Sequence, residues 1–406
     1  MFKNIDTEAA CRMLYELPVF HTSETVALSE SLYRIVSDTV RARLPVPPFD
    51  KSPYDGYAFR GGDTSAATRG EPARLKVIEE VPAGTQPRYK ITPGEAAKIL
   101  TGAPIPAGAD ATVKYELTEF TNTEVRFFEP IEPYTGIIYA GSVISPGDML
   151  AREGTLITPP VIAMLADQGV AAVNVFKKPV VTVICTGSEL SEIGEPLRPA
   201  SIYNSNVHTL SAYLTQIGAA PRNGGVVSDV PEFIARRIEE ALWDSDMVIT
   251  TGGASVGDYD LALKSMQFLN MNILFWKASM KPGGAILAAV AGNKLVLGLS
   301  GNPGAAVLGF LRIAMPYMKK LCGRFDCFYP EVSVALREPL LKSSPKLRIL
   351  RGRLEIEDAK AYFAEGKHQG SEATSSLIGC DLLGEIPMGS PPLPAGTIIK
   401  AYRLTL

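Results

Sequence analysis

The hydrophobic pattern changes character near Pro179. Beyond it, short unbroken apolar runs alternate with amphipathic stretches. Residues 179–184, 247–250 and 294–299 read as strands buried on both faces, and 272–276 and 285–290 extend the set. Gly225-Val226-Val227 supplies one more. Between them the spacing predicts helices over 206–217, closed by Gly218, over 231–242 with Phe233, Ile234, Ile238 and Leu242 on one face, and over 261–269. A long helix is expected from Pro303 to Leu321, stopped by Gly323. Such alternation predicts a mainly parallel sheet with helices on both faces.

Either side of this region the pattern differs. Residues 7–43 read as helical, with Asp6-Thr7 as N-cap and Leu28, Leu32 and Ile35 on one face. The prolines of Pro45-Val46-Pro47-Pro48-Phe49 forbid its continuation. From there to about 135 the segments are short and β-like (75–78, 97–100, 111–115), predicting a small β-rich module. Residues 159–168 read as a helix with proline at its start and Gly169 as its stop. After Gly323, short strands at 331–336, 347–354 and 397–405 predict a compact C-terminal β domain.

Composition narrows the possibilities. The 406 residues hold 36 glycines and 31 prolines, about one residue in six, spread along the chain without a collagen period. With 46% hydrophobic residues there is material for several packed cores. A net charge of −3 argues against a non-specific nucleic-acid binder. Cys11, Cys185, Cys322, Cys327 and Cys380 lack zinc-finger spacing and read as buried or free thiols of a reducing compartment. The uncharged run 295–311 is broken by Gly301-Asn302-Pro303-Gly304, so a strand, turn and helix explain it better than a membrane span. Without a basic region before an apolar run, the first residues do not read as a signal peptide, and a cytoplasmic location is expected.

Candidate chemistry follows from recurring turns. Neither a Walker A loop nor G-x-G-x-x-G occurs. Instead Thr101-Gly102-Ala103, Thr186-Gly187-Ser188 and Thr251-Gly252-Gly253 each follow an apolar strand. Loop amides at such strand ends cradle an anion or simply form a tight turn. Asp258 and Asp260 lie just past the last of these, and Glu189 and Asp229 follow other strands. This acidic set suits Mg²⁺, while helix capping explains Asp260 on pattern alone. Lys277 and Lys281, beside Pro282-Gly283-Gly284, suit an anionic ligand or a solvated surface.

Together these strings resemble the MoeA family of molybdopterin molybdenumtransferases, related to the E domain of gephyrin. The resemblance covers essentially the whole chain. It rests on Pro48-Phe49-Asp50-x-Ser52-x-x-Asp55-Gly56-Tyr57-Ala58, on Thr101-Gly102-Ala103-Pro104-Ile105-Pro106, and on Thr186-Gly187-Ser188-Glu189-Leu190. Tyr203-Asn204-Ser205-Asn206, Thr251-Gly252-Gly253-x-Ser255-Val256-Gly257 with Asp260, Lys281-Pro282-Gly283 and Gly301-Asn302-Pro303 follow in the family's order.

The resemblance implies a multi-domain α/β plus β protein. Its parts are a discontinuous helical domain (1–45 and 140–178), a small β domain (46–139), a three-layer molybdopterin-binding α/β domain (179–325) and a C-terminal β-barrel (326–406), assembled as an elongated homodimer. The implied reaction inserts molybdate into adenylylated molybdopterin with Mg²⁺-dependent release of AMP. A molybdopterin adenylyltransferase and apo-molybdoenzymes are the implied partners. By motif position Asp55, Asp229, Asp260, Lys277 and Lys281 would serve the chemistry, and Glu189, Asp229 and Asp260 the metal. Thr101, Thr186, Gly187, Ser188, Gly252, Gly253, Ser255, Gly301, Asn302 and Pro303 would hold the pterin substrate. The chain departs from the family at Gly284, where a second lysine is usual, and at Ser300 and Ala305, where proline and serine are usual. Losing an ammonium and a hydroxyl weakens oxyanion binding. A divergent paralogue using tungstate and a non-catalytic molybdopterin-binding scaffold are therefore the alternatives.

Overall fold

The computed structural model describes residues 2–253 and 261–404. The chain divides into two compact units, one of Met1–Asp38, Glu153–Ile157 and Ala172–Leu406, the other of Thr39–Arg152 and Thr158–Ala171.

In the first unit, seven strands form one sheet: β1 (Phe2–Ile5), β2 (Val180–Thr186), β3 (Ala220–Val227), β4 (Met247–Thr251), β5 (Asn272–Ala278), β6 (Ile286–Ala291) and β7 (Lys294–Leu299). Their spatial order is β1-β5-β6-β7-β4-β2-β3. Only β6 runs against its neighbours, so the expected mainly parallel sheet is present. The strands are continuously apolar because each face has its own core. Val181, Val183, Ile249 and Leu297 pack with α1 (Thr7–Tyr15), α2 (Ser205–Gln216) and the helix from Pro303. Ile184, Val248 and Val296 pack with α3 (Pro231–Leu242) and α4 (Leu261–Phe268). In α3 the buried stripe is Ile234, Ala235, Ile238 and Ala241, and half-buried Leu242 packs against the same core as expected, whereas Phe233 is 58% exposed, which corrects its place on that face.

The long helix expected over 303–321 is present as α5 (Pro303–Gly309), a π-turn (Phe310–Ala314) and α6 (Met315–Leu321). Beyond it β8 (Glu331–Leu336), β9 (Leu347–Glu357), β10 (Lys360–Glu365), β11 (Leu382–Ile386) and β12 (Ile398–Arg403) close into a five-stranded barrel, order β9-β10-β8-β12-β11 and back to β9.

The helical reading of 7–43 holds only for α1, which Asp6 caps by accepting the N–H groups of Glu8 (2.9 Å) and Ala9 (3.1 Å). Ser23–Ala27 is instead a strand paired antiparallel with Ala172–Phe176. A cross-strand partner far along the chain overrides the local spacing of Leu28, Leu32 and Ile35.

In the second unit six strands form a sheet, in the order Ala111–Lys114, Gly56–Phe59, Glu95–Ile99, Ala73–Val81, Glu124–Phe127 and Thr118–Phe120. Tyr57, Phe59, Leu75, Val125 and Phe127 form part of its core. The helix expected at 159–168 is Pro159–Asp167. Among the described residues no helix is long and apolar enough to cross a membrane.

All five cysteines are free thiols. Cys322, just past α6, is buried, and burial pushes its thiol from its usual 9 up to about 12. Between those values the unfolded chain releases a proton that the fold retains. The stability this represents is complete below pH 9 and is lost as pH rises towards 12. Urea midpoints are therefore expected to fall as pH is raised from 8.5 to 11. Cys322→Ala should remove about 1.4 kcal/mol per pH unit of that slope; an unchanged slope in the variant would contradict the assignment.

Candidate functional site

In open α/β sheets, ligands bind beyond the carboxyl ends of the strands. Here the ends of β2, β4 and β7 converge because glycines let them. Gly252, directly after β4, has φ +89°, and its N–H donates to the Leu299 carbonyl at the end of β7 (3.3 Å). A Cβ on Gly252 would lie 2.3 Å from the carbonyl oxygen of Thr186, the last residue of β2, and 2.6 Å from its hydroxyl. A Cβ on Gly301 would lie 3.3 Å from the Gly252 Cα. Gly253 follows at φ +64°, and its carbonyl accepts the N–H of Leu261, which opens α4 (2.9 Å). Thr186, Gly252, Gly253 and Gly301 are thus brought together.

Gly187 links the next strand end, donating to the Val227 carbonyl of β3 (3.3 Å). The Glu189 carboxylate lies within 2.9 Å of where a Gly187 Cβ would stand, so this side chain folds back across the exposed Ser188 turn. Asp229 is exposed between β3 and α3. The two carboxylates therefore follow neighbouring strand ends. Ser255 and Asp260 lie outside the described residues. Among the described residues no group of three or more His, Cys, Asp or Glu side chains is placed to hold a metal. The pair fits Mg²⁺ by its chemistry, since that ion commonly takes one or two carboxylates and fills its shell with substrate phosphate and water.

The rim opposite is built by α2. Asn204 caps this helix, accepting the Val207 N–H (3.5 Å). Asn206 donates from Nδ2 to the Gly301 carbonyl (2.8 Å). Its Oδ1 is buried without a hydrogen-bond partner, as is the Thr186 hydroxyl. Buried polar atoms left unpaired are costly and rare. Both belong to residues at this sheet edge that are at least nine-tenths buried. Asn206 is legible inside the Tyr203-Asn204-Ser205-Asn206 motif, but the motif alone gives it no role.

Lys277, at φ +71°, has its ammonium 3.9 Å from the centre of the Trp276 ring. Lys281 is exposed, in a two-residue strand (Met280–Lys281) paired with Leu347–Arg348 of β9. The turn after it returns to the sheet, with the Gly284 carbonyl accepting the Ala278 N–H (2.9 Å). A Cβ on Gly284 would lie 2.3 Å from the Met280 carbonyl oxygen and 2.5 Å from that of Ala278. This backbone has no room for a lysine there.

Gly301, Asn302 and Pro303 lead into α5. The Asn302 N–H donates to Ser300 Oγ and its Nδ2 to Ser371 Oγ, both at 3.2 Å. The Ala305 N–H donates to the Ser371 carbonyl (2.8 Å). Arg351, wholly buried, holds this barrel loop by donating to the carbonyls of Gly370 (2.9 Å) and Ala373 (2.8 Å). The missing side chain of Gly304 admits it, since a Cβ there would lie 2.8 Å from both Arg351 Nη1 and the Ser371 oxygen. Arg351 and Ser371 belong to none of the motifs read from the sequence, so they were missed. Lys281 and Ser371 line one cavity of about 430 Å³ with Lys342, Lys346 and Arg348.

Asp55 and Thr101 lie in the second unit. Pairing of Gly56 with Ile99 sets them side by side. Thr101 donates to Asp55 Oδ1 from its N–H (2.7 Å) and its hydroxyl (2.8 Å). Those bonds hold the Asp55 carboxyl below its ordinary range.

Comparison with known proteins agrees with this architecture. A model of the MoeA N-terminal region (domains I and II) matches residues 5–169, and a model of a probable molybdopterin binding domain matches residues 182–320. A molybdopterin molybdenumtransferase of Bacillus subtilis (strain 168) is 34% identical over 404 residues, 98% of this chain and 94% of that protein. One from Staphylococcus aureus (strain MRSA252) is 34% identical over 92% of this chain and 89% of its own length. The crystal structure of the molybdopterin biosynthesis MoeA protein from Pyrococcus horikoshii OT3 superposes with a TM-score of 0.84 at 27% identity, covering 98% of this chain and all of that one. With its relatives matched nearly end to end, the chain belongs to the MoeA family, the molybdopterin molybdenumtransferases.

Proposed function

We propose that this protein inserts molybdate into adenylylated molybdopterin, releasing AMP with Mg²⁺ and forming molybdenum cofactor. The observation that carries this reading is the convergence of three strand ends around Gly252, with the Thr186 hydroxyl and Asn206 Oδ1 buried there unpaired. Such groups await a polar ligand, and glycines at strand ends let backbone amides approach a phosphate closely. The phosphate linkage would lie along Thr186, Gly187, Ser188, Gly252 and Gly253, joined by Ser255. Glu189 and Asp229 with Asp260 would hold Mg²⁺, which would draw charge from the phosphate oxygens as AMP departs. Lys277 and Lys281 would offset substrate charge, and Gly301, Asn302 and Pro303 would position the pterin end. Asp55 and Thr101 serve as one hydrogen-bonded unit. The four-part domain division and the homodimer belong to the same proposal.

The absence of space for a side chain at Gly284 favours one second reading, a molybdopterin-binding scaffold that no longer loads metal. One assay separates the two. Purified protein is given adenylylated molybdopterin, Mg²⁺ and molybdate, and both AMP and metal-loaded cofactor are measured. Both products should appear, and both should fall at least 100-fold in Asp229→Asn. Tight pterin binding with neither product would establish the scaffold. AMP without metal loading would leave only the adenylate chemistry.

A further inference from the structure

The turn that carries Ser188 and Glu189 is held by a side chain that belongs to none of the motifs. Past β2 the Leu190 N–H donates to the Gly187 carbonyl (3.2 Å), closing the turn. Leu190–Ser191 then pairs in parallel with Ile202–Tyr203. Parallel partners need a connection that doubles back, and residues 192–201 supply it. Arg198, on this connection, reaches back to the turn. Its Nη2 donates to the carbonyls of Leu190 (2.7 Å) and Ser188 (3.5 Å), and its Nε to Ser191 Oγ (3.2 Å). The connection is itself tied down. The Tyr203 hydroxyl donates to the Glu195 carbonyl (2.9 Å), and the Ser201 N–H to the carbonyl of Arg198 (3.1 Å). Arg198 makes no ion pair among the described residues, although Glu192 and Glu195 are near in the chain. Its guanidinium is spent on backbone carbonyls and one hydroxyl.

We propose that Arg198 is a positioning residue for the phosphate site, acting through the backbone amides of Ser188 and Glu189. This rests on the function proposed above and names a residue that keeps its phosphate site in shape. A trans peptide is planar, so its N–H points opposite to its carbonyl. With the Ser188 carbonyl drawn to Arg198, the Glu189 N–H faces away from that guanidinium. Both Ser188 and Glu189 are exposed, and neither N–H has a hydrogen-bond partner among the described residues. Successive free amides on a turn form a concavity that suits an anion. Such a concavity persists only while its peptides cannot flip. Here the carbonyls of Ser188 and Leu190 are taken by Arg198, and that of Glu189 by the Ile202 N–H (2.9 Å). The rigid fork of a guanidinium spans two carbonyls at once, which a single ammonium does less well. Its charge also makes each bond stronger than one from a neutral donor. Arg198 itself needs no contact with substrate.

The test is calorimetric titration of the full chain with AMP, the phosphate-bearing product of the proposed reaction, in EDTA so that no metal contributes. KM and kcat for adenylylated molybdopterin are measured beside it with Mg²⁺ present. Arg198→Met should raise both the AMP dissociation constant and KM at least tenfold, while kcat stays within threefold. Arg198→Lys should fall between the two proteins. Added guanidinium ion, below denaturing concentrations, should restore part of the AMP affinity of Arg198→Ala. Arg222→Met, which removes only the surface partner of Asp244, should change nothing. Arg198 is exposed, and circular dichroism checks that each variant folds. AMP affinity within twofold of wild type in Arg198→Met overturns the inference and leaves the proposed function standing. A fall in kcat and melting temperature that neither lysine nor guanidinium relieves also overturns it, since that marks general support of the fold. Wild-type protein that binds no AMP and releases none from adenylylated molybdopterin overturns the proposed function, and the inference with it.

Discussion

Gly252→Ala is expected to lower turnover at least 100-fold while leaving the sheet folded. Two effects coincide at this residue. Its φ of +89° is one that a side chain strains, at about 1–3 kcal/mol. The added methyl would also stand 2.3 Å from the Thr186 carbonyl oxygen, a backbone atom that cannot rotate away. Relief requires the ends of β2 and β4 to part, and with them Gly253 and Gly301. A shift of about 1 Å in such an arrangement costs roughly 100-fold in rate. The cores on either face, anchored by Val183, Ile249 and Leu297 on one and Ile184, Val248 and Val296 on the other, lie deeper in the sheet and should survive. AMP release measured beside the far-UV spectrum checks both halves. Gly62→Ala is the control, since its Cβ would meet nothing within 4 Å. Turnover within threefold of wild type would show that convergence at Gly252 is not needed.

That glycine was legible in the sequence, and the reason is physical. Strand ends with Thr-Gly are local features, fixed by the backbone conformation the turn demands. The same holds for the alternation that announced β2 to β7, where burial on both faces leaves continuous apolar runs. Contacts made across hundreds of residues leave no such mark. Nothing near Phe2–Ile5 announced a strand, because its pairing with Phe275, Trp276 and Ala278 is what makes it one. Ser23–Ala27 reads locally as helix for the same reason, its partner lying at Ala172–Phe176. At the candidate site, glycines and acids stood out in the motifs. Arg351 acts only because Gly304, 47 positions before it, leaves space for its guanidinium. Lys342 and Lys346 look like ordinary surface lysines until the barrel gathers them with Lys281 around one cavity.

Arg312→Met is expected to be the most destabilising single change outside the site. Arg312 lies on the π-turn between α5 and α6 and is only 8% exposed. Its Nε donates to Glu385 Oε1 of β11 (2.7 Å), and its Nη2 to Glu8 Oε2 of α1 (2.8 Å) and to the Tyr402 hydroxyl of β12 (3.0 Å). The guanidinium carbon also lies 4.4 Å from the centre of the Tyr402 ring. One side chain thus joins the first helix, the helix leading from Asn302, and the barrel. Removing it strands the buried Glu385 carboxylate, for which Lys400 at 4.0 Å is a poor substitute. Breaking a buried pair from one side costs about 3–5 kcal/mol, a large fraction of the roughly 5–15 kcal/mol that holds a typical protein folded. Arg312→Met/Glu385→Leu removes the stranded charge and should recover at least half of the loss, since apolar replacements of buried pairs are often close to neutral. Both tryptophans, Trp243 and Trp276, lie in the α/β part of the chain. Urea unfolding followed by their fluorescence therefore reads the sheet side of this junction, and circular dichroism reads the whole. Both midpoints should fall together in Arg312→Met and rise together in the double variant. A single variant that unfolds at the wild-type midpoint, or a double variant no better than the single, would show that Glu385 does not depend on this guanidinium.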